Sequence, residues 1–425
     1  MNQSSGTSKS GNHWLLRKIG LVSLVMFSAA ASQMLANLIL GRTLSKEDYG
    51  VFSLIRKLIM FGNFFVLLSL DAGLIRQVPP KVLVQANWHR YLRRGMVVVI
   101  LMTVLPVAVT WLIYNIQLEY LIILFLIICI SGFLLLSNAI LRIYQQFMRA
   151  QLLVSGFRLI FLLIMILLWI RSAVTLDSSL VLLLVAYGLI LFIAFIFLKP
   201  LPAGTNPIPF RNTLHNSSEY YLLTLATITF VVIDTFFVAK MAGFRQAGIY
   251  SAVSLLPVTV FNLAGSSVGQ VLMPLLAAGR SIPWRKIVLI WVGMAVPLTL
   301  FFLMLTNPLN HFFFAGKYDG YPTLVCIFVL IGLFQLTGIY IYAILGGIGT
   351  RRYLRYYLIS STVIQLVHLL AMFLVIRWDH GIQGVAAVTA IFWLLRDLIG
   401  IGFIVLQNST KRHQALEFKE TGLEL

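Results

Sequence analysis

Residues 120–141 read YLIILFLIICISGFLLLSNAIL, a stretch with no Lys, Arg, His, Asp or Glu. Wound as a helix at 1.5 Å per residue, roughly 20 such residues cross the hydrocarbon of a bilayer. A surface helix of a soluble protein keeps one polar face, and this one has none. Working outward, the same pattern recurs at 19–40, 51–75, 96–114, 152–170 and 179–198, then at 219–239, 249–276, 287–306, 321–345, 353–376 and 382–406. The expectation is an all-α integral membrane protein with about twelve transmembrane helices. The connections are too short to hold a soluble domain.

Composition agrees. The chain is 60% hydrophobic and 11% charged, with a mean hydropathy of +0.94. Soluble proteins carry roughly 25% charged residues, so this chain lacks the charge to cover its surface in water. The net charge of +19 raises the question of nucleic acid. Here, however, the basic residues fall between apolar runs, without zinc spacing or a basic-aromatic face. No nucleic-acid partner is expected. Cys129 and Cys326 both lie inside apolar runs, which implies neither a disulfide framework nor a metal site. No cofactor or metal is expected.

Orientation follows from alternate connections, because cytoplasmic loops are enriched in Lys and Arg. Of the 32 basic residues, 22 fall on the side of the N-terminus, Arg142, Arg149 and Arg158 among them, and 7 on the other. Arg56, Lys57 and Arg396 make up the rest, inside spans. Both termini are therefore expected in the cytoplasm. Six tryptophans, Trp14, Trp88, Trp111, Trp169, Trp284 and Trp378, lie near span ends, as an interfacial belt requires. Lys18 and the apolar stretch through Ala29-Ala30-Ala31 resemble a signal peptide. The apolar run continues to Leu40, and the segment is read as an uncleaved first helix.

An internal repeat has an offset of 198. Gly41 to Ser53 aligns with Ala239 to Ser251, with Gly50/Gly248 and Ser53/Ser251 identical and Arg42/Lys240, Val51/Ile249 and Phe52/Tyr250 conservative. Both segments join the first and second spans of a six-span set. Ile170-Arg171 and Ile376-Arg377 also occupy matching places before the sixth span of each half. An even number of spans returns the chain to the same side, so the repeats are parallel. Two six-helix lobes, 1–205 and 206–425, around a central cavity are expected.

At Gly41-Arg42 through Gly50-Val51-Phe52, then Asp71-Ala72-Gly73-Leu74, the chain resembles bacterial Wzx-type polysaccharide-lipid flippases. These are polysaccharide transporters of the multidrug/oligosaccharidyl-lipid/polysaccharide exporter superfamily. Ile233-Asp234 with Ala247-Gly248-Ile249-Tyr250-Ser251 is similar to the start of the family's second half. Gly381-Ile382-Gln383-Gly384-Val385-Ala386-Ala387 is similar to its late Gly-x-x-Gly-x-Ala-Ala pattern. The resemblance implies movement of a polyprenyl-pyrophosphate-linked oligosaccharide across the bacterial cytoplasmic membrane by alternating access. It also implies a polysaccharide polymerase and other biosynthetic membrane proteins as partners. Arg396-Asp397 stands outside the family pattern. The related lipid II flippases carry additional helices, for which this chain has no room.

Charges inside spans are penalised by roughly 2.5–3.5 kcal/mol each and mark function candidates. Arg56 and Lys57, five to six residues into the second span, give a cavity a cationic wall or snorkel to the outer headgroups. Asp234, at similar depth, is a coupling or gate carboxylate or the counter-ion of Arg56 or Lys57. Arg396 and Asp397 lie deep in the last span, the first as a substrate contact and the second as a coupling group, or both as structural ties. Asp71 is a coupling residue or a helix terminator. His368 is a packed histidine or a proton site. Arg142, Arg149, Arg351, Arg352 and Arg355 meet a pyrophosphate or simply obey the loop-charge asymmetry.

Rival classes leave weaker traces. A membrane-embedded glycan polymerase or ligase needs acids or histidines on a sizeable outer loop. The outer acids are Glu47, Asp48, Glu119, Asp177, Asp319 and Asp379, all on short connections. Gly346-Gly347-Ile348-Gly349-Thr350 lacks the P-loop lysine, which excludes an ATP-driven pump in one chain. Nothing marks an enzyme. A cation-coupled drug or metabolite antiporter of the same superfamily is the alternative, and it would rest on Asp71 and Asp234.

Overall fold

The computed structural model describes residues 8–77, 87–202, 204, 206, 208, 210–277, 283–348, 351–378 and 381–420. The described part is built of α-helices. They are α1 (Ser8–Thr43), α2 (Lys46–Leu67), α3 (Leu70–Gln77), α4 (Trp88–Tyr114), α5 (Leu118–Ile143), α6 (Phe147–Ile170) and α7 (Leu176–Leu198). The chain continues with α8 (Phe210–Met241), α9 (Phe244–Ala277), α10 (Trp284–Phe314), α11 (Pro322–Ile348), α12 (Arg351–Arg377) and α13 (Gly381–Glu420).

Among the described residues, eleven helices carry an apolar stretch long enough to cross a bilayer. The short α3 continues the span of α2, and α8 is itself 32 residues long. The outward faces are apolar: Leu112 and Met304 are each 73% exposed. In water such a surface would aggregate, whereas lipid is its solvent. The chain is a multi-pass, all-α membrane protein.

The helices run past the expected spans because polar residues cap them outside the apolar runs. Ser45 Oγ accepts from Asp48 N at 3.0 Å and starts α2. Thr175 and Ser178 form a capping box at the head of α7. Asn87 Oδ1 accepts from Arg90 N at 2.9 Å and starts α4. The second expected span is broken: Leu68 and Ser69 take left-handed φ values of 48° and 55°, and no residue with a side chain continues a helix there. Asp71 thus does not end a helix. It sits in the first turn of α3, where a carboxylate meets the positive end of the helix dipole.

The offset of 198 reappears in the backbone. Leu44 N donates to Leu40 O and Tyr49 N to Ser45 O, at 2.9 and 3.0 Å. At the matching positions Ala242 N donates to Val238 O and Ala247 N to Gly243 O, at 2.9 and 3.1 Å. The repeat is one helix-to-helix connection used twice.

The chain divides into two compact units, Met1–Ile228 and Thr229–Leu425. In the first, α1 lies along α6, and α4, α5, α6 and α7 pack in succession. Trp88 Nε1 and Tyr144 Oη both donate to Pro202 O, at 2.9 and 2.6 Å, tying the α4 and α5 ends to the segment after α7. In the second unit α9 and α11 share the largest interface, and α13 packs on both α11 and α12. Glycine notches allow that close approach. A Cβ on Gly332 of α11 would lie 2.6 Å from Phe261 of α9, and one on Gly265 of α9 would lie 2.8 Å from Ile339 of α11.

Candidate functional site

In the first unit, Arg56 lies ten residues past the start of α2, about 15 Å along the axis. That is deeper than the span estimate, because α2 begins at Lys46. Lys57 follows it, and both are half-buried. The charge reading of Arg158 needs correction. It lies inside α6, not in a connection, which leaves 21 basic residues on the N-terminal side against 7 on the other. Tyr49 and Arg158 are the groups whose charge acts on Arg56, and that of Arg158 opposes its own. The Arg158 guanidinium lies 5.6 Å from the Phe157 ring centroid, beside Tyr187, and its Nε has no hydrogen-bond partner. Phe157 stacks on Tyr187 at 4.2 Å. No described carboxylate forms an ion pair with Arg56 or Arg158. Two like charges thus share one region of a helical unit whose outward faces are apolar.

Among the described residues, the fully buried charges lie in the second unit. Asp234 lies seven residues before the end of α8, about 10 Å. Its Oδ2 accepts from Tyr250 Oη of α9 at 2.8 Å, and its Oδ1 from Thr235 N at 2.6 Å. Tyr250 is fully buried, with its ring edge-on to Phe328 at 4.7 Å. His368 of α12 is sandwiched between Phe230 and Phe392, at centroid distances of 5.4 and 5.0 Å. Its Nε2 lies 3.3 Å from Thr389 Oγ1 of α13.

Arg396 sits in an aromatic box. Its guanidinium carbon is 5.0 Å from the Trp393 ring centroid, 5.2 Å from Phe230 and 5.8 Å from Tyr357. Cation–π attraction of this kind reaches about 2 kcal/mol when desolvated, and Arg396 is only 4% exposed. Asp397 points elsewhere, toward Gly338 of α11. It is 2% exposed, and neither carboxyl oxygen has a hydrogen-bond partner. The helix separates the two neighbours, as adjacent positions diverge by about 100°.

Arg142 and Arg149 are exposed at the end of α5 and the start of α6. Arg149 Nη1 donates to Gln146 Oε1 at 3.0 Å, and its guanidinium lies over Phe197 at 5.4 Å. Arg355 is exposed on α12. Arg351 and Arg352 open α12, and their side chains lie outside the described residues, as do Asp379 and His380.

Sequence reasoning missed Arg158, Tyr250 and Thr389. The signal for Arg158 was present: a cation inside the apolar run 152–170. Tyr250 and Thr389 carry no charge, and only the packing of α8, α9 and α13 reveals them.

Residues 39–321 match the family described as polysaccharide biosynthesis protein. This is well over half of the chain, and the chain belongs to that family. Among solved structures, it is similar to an inward-facing multidrug resistance MATE family transporter of the MOP superfamily. The identity is 12% and the TM-score 0.65, over 92% of this chain and 99% of that one. It is likewise similar to the lipid II flippase MurJ in an inward closed conformation, at 15% identity and a TM-score of 0.65, over 90% of this chain and 87% of that one. A MOP superfamily transporter from Pyrococcus furiosus matches at 15% identity and a TM-score of 0.61, over 92% and 95%. Comparison with curated protein sequences gives no significant match. The fold is that of the MOP superfamily transporters.

Proposed function

We propose that this protein is a flippase that moves a polyprenyl-pyrophosphate-linked oligosaccharide across the bacterial cytoplasmic membrane by alternating access. Both termini face the cytoplasm, and the work serves surface polysaccharide biosynthesis. The observation that carries this reading is the pairing of Arg56 with Arg158 in the first unit, with no described acid to neutralise them. Two half-buried cations set against each other lose hydration and repel, and an anion between them relieves both costs. A pyrophosphate offers oxygens to both guanidinium groups, in the bidentate geometry that suits arginine. Lys57 and Arg396 add positive charge, and Arg142, Arg149, Arg351 and Arg352 receive the headgroup on the cytoplasmic side. Family membership and fold support the class of reaction. The polysaccharide polymerase that consumes the translocated unit is the expected partner.

Loss of the gene tests the proposal. Cells should then assemble the lipid-linked glycan, accumulate it on the cytoplasmic side and fail to display it. A cation-coupled antiporter is favoured by one observation, the buried carboxyls of Asp234 and Asp397. It predicts normal surface glycan and altered drug sensitivity in the same cells.

A further inference from the structure

The second unit contains a polar system that no headgroup contact requires. On α12, Tyr357, Ser361, Gln365 and His368 recur at spacings of four, four and three, which places them on one helical face. All four are buried, and none is more than 5% exposed. Tyr357 Oη, Ser361 Oγ, both amide atoms of Gln365 and His368 Nδ1 have no hydrogen-bond partner. Each orphaned polar group costs about 1–3 kcal/mol. A file of them along one face is the arrangement that hydration satisfies, since clustered buried polar groups hold ordered water. From Tyr357 to His368 the file covers about 16 Å of helix.

At His368 the file meets a chain of hydrogen-bonding side chains, Thr389, Tyr250 and Asp234. The Asp234 carboxylate accepts only, so Tyr250 Oη donates to it, at 2.8 Å. Thr389 also faces Tyr250, placed to donate to the phenol oxygen. Thr389 Oγ1 then accepts from His368 Nε2–H, at 3.3 Å. This polarity fixes the tautomer and leaves His368 Nδ1 as a bare acceptor. The charged and titratable groups facing His368 are Asp234 on α8, Tyr250 on α9 through Thr389, and Arg396 on α13 through Phe230. Phe230 stands between Arg396 and the imidazole.

We propose that the α12 polar file and the His368–Thr389–Tyr250–Asp234 chain form one proton path through the second unit, with Asp234 as its terminal acceptor. A proton arriving at Nδ1 forms one N–H bond while Nε2–H breaks. Thr389 takes that proton and releases its own to Tyr250, which releases its proton to Asp234 Oδ2. One proton enters and one carboxylate is neutralised. Imidazole and both hydroxyls end uncharged, with their hydrogen bonds reversed. The path is independent of what the transporter carries, so it goes beyond the flippase reading.

The test needs no substrate. Purified protein in lipid is acidified by a rapid pH jump while its infrared spectrum is followed. A protonated-carboxyl band should grow, and Asp234→Asn should remove one component of it, which the difference between the two spectra isolates. Tyr250→Phe and Gln365→Leu should each slow its growth about a hundredfold, the scale on which a positioned proton donor acts, with the final amplitude kept. Gln365→Leu should leave the unfolding temperature equal or higher, because it replaces an orphaned amide with an apolar group. Thr389→Val tests the same link as Tyr250→Phe if the latter does not fold. An unchanged rate of the Asp234 component in Gln365→Leu or in the link variant, or a band that Asp234→Asn leaves unchanged, overturns the path.

Discussion

Tyr250 Oη donates to Asp234 Oδ2 at 2.8 Å, joining α9 to α8 inside the C-terminal unit with both side chains buried. Tyr250→Phe removes the donor and leaves the carboxylate short of a partner, at a cost of about 1–3 kcal/mol. Adding Asp234→Asn should recover part of that loss, since the two residues share one interaction and their effects do not add. Thermal unfolding in detergent measures both. Strict additivity would show that the two side chains act independently.

The aromatic box around Arg396 makes a second expectation. Phe230 lies under the guanidinium and also stacks on His368, whereas Trp393 serves Arg396 without touching the imidazole in a stacked pair. Phe230→Leu should therefore lower the unfolding temperature more than Trp393→Phe, which keeps a ring face. Truncating a buried phenylalanine also loses packing, on the order of 1–3 kcal/mol. Equal effects would mean that the box is ordinary packing.

Glycine notches give a paired comparison. A Cβ on Gly332 would meet Phe261 at 2.6 Å, while one on Gly188 of α7 meets nothing within 4 Å. Gly332→Ala should destabilise by about 1–3 kcal/mol through overpacking. Gly188→Ala should be neutral or stabilising by up to about 1 kcal/mol, because alanine is the better helix former. The same sign in both would refute the close approach of α9 and α11.

Much of the architecture was written in hydropathy. A run such as 120–141 has few alternatives to a membrane helix, and the offset of 198 between Gly50 and Gly248 survives as matching backbone hydrogen bonds. The break at Leu68 and Ser69 was not legible, because neither residue type favours a left-handed backbone. Charge marked Arg56, Asp234, Arg396 and Asp397 as residues to inspect. Their surroundings depend on which helices meet, so sequence could not foresee the box of Phe230, Tyr357 and Trp393. Arg158 was counted with the cytoplasmic cations although it falls inside the apolar run 152–170, and helix α6 (Phe147–Ile170) carries it.

The charge asymmetry, 21 against 7 once Arg158 is placed inside α6, predicts the orientation. Reporter fusions after Gly11, Asn206 and Gln414 should all signal cytoplasm, and one after Gly316 should signal the outside. An outside signal at Asn206 would contradict six spans in the first half.

The central claim is that the chain translocates a lipid-linked anion and that Arg158 helps to hold it. The direct measurement is made in vesicles that contain the purified protein and a polyprenyl-pyrophosphate-linked oligosaccharide. It follows the fraction of glycan open to an impermeant reagent over time. Wild type and Gly188→Ala should bring protected glycan to the reagent. Arg158→Gln should do so at least about tenfold more slowly, while remaining as stable as wild type, since it removes one of two repelling charges. Vesicles in which wild type moves no more glycan than protein-free vesicles would contradict the account.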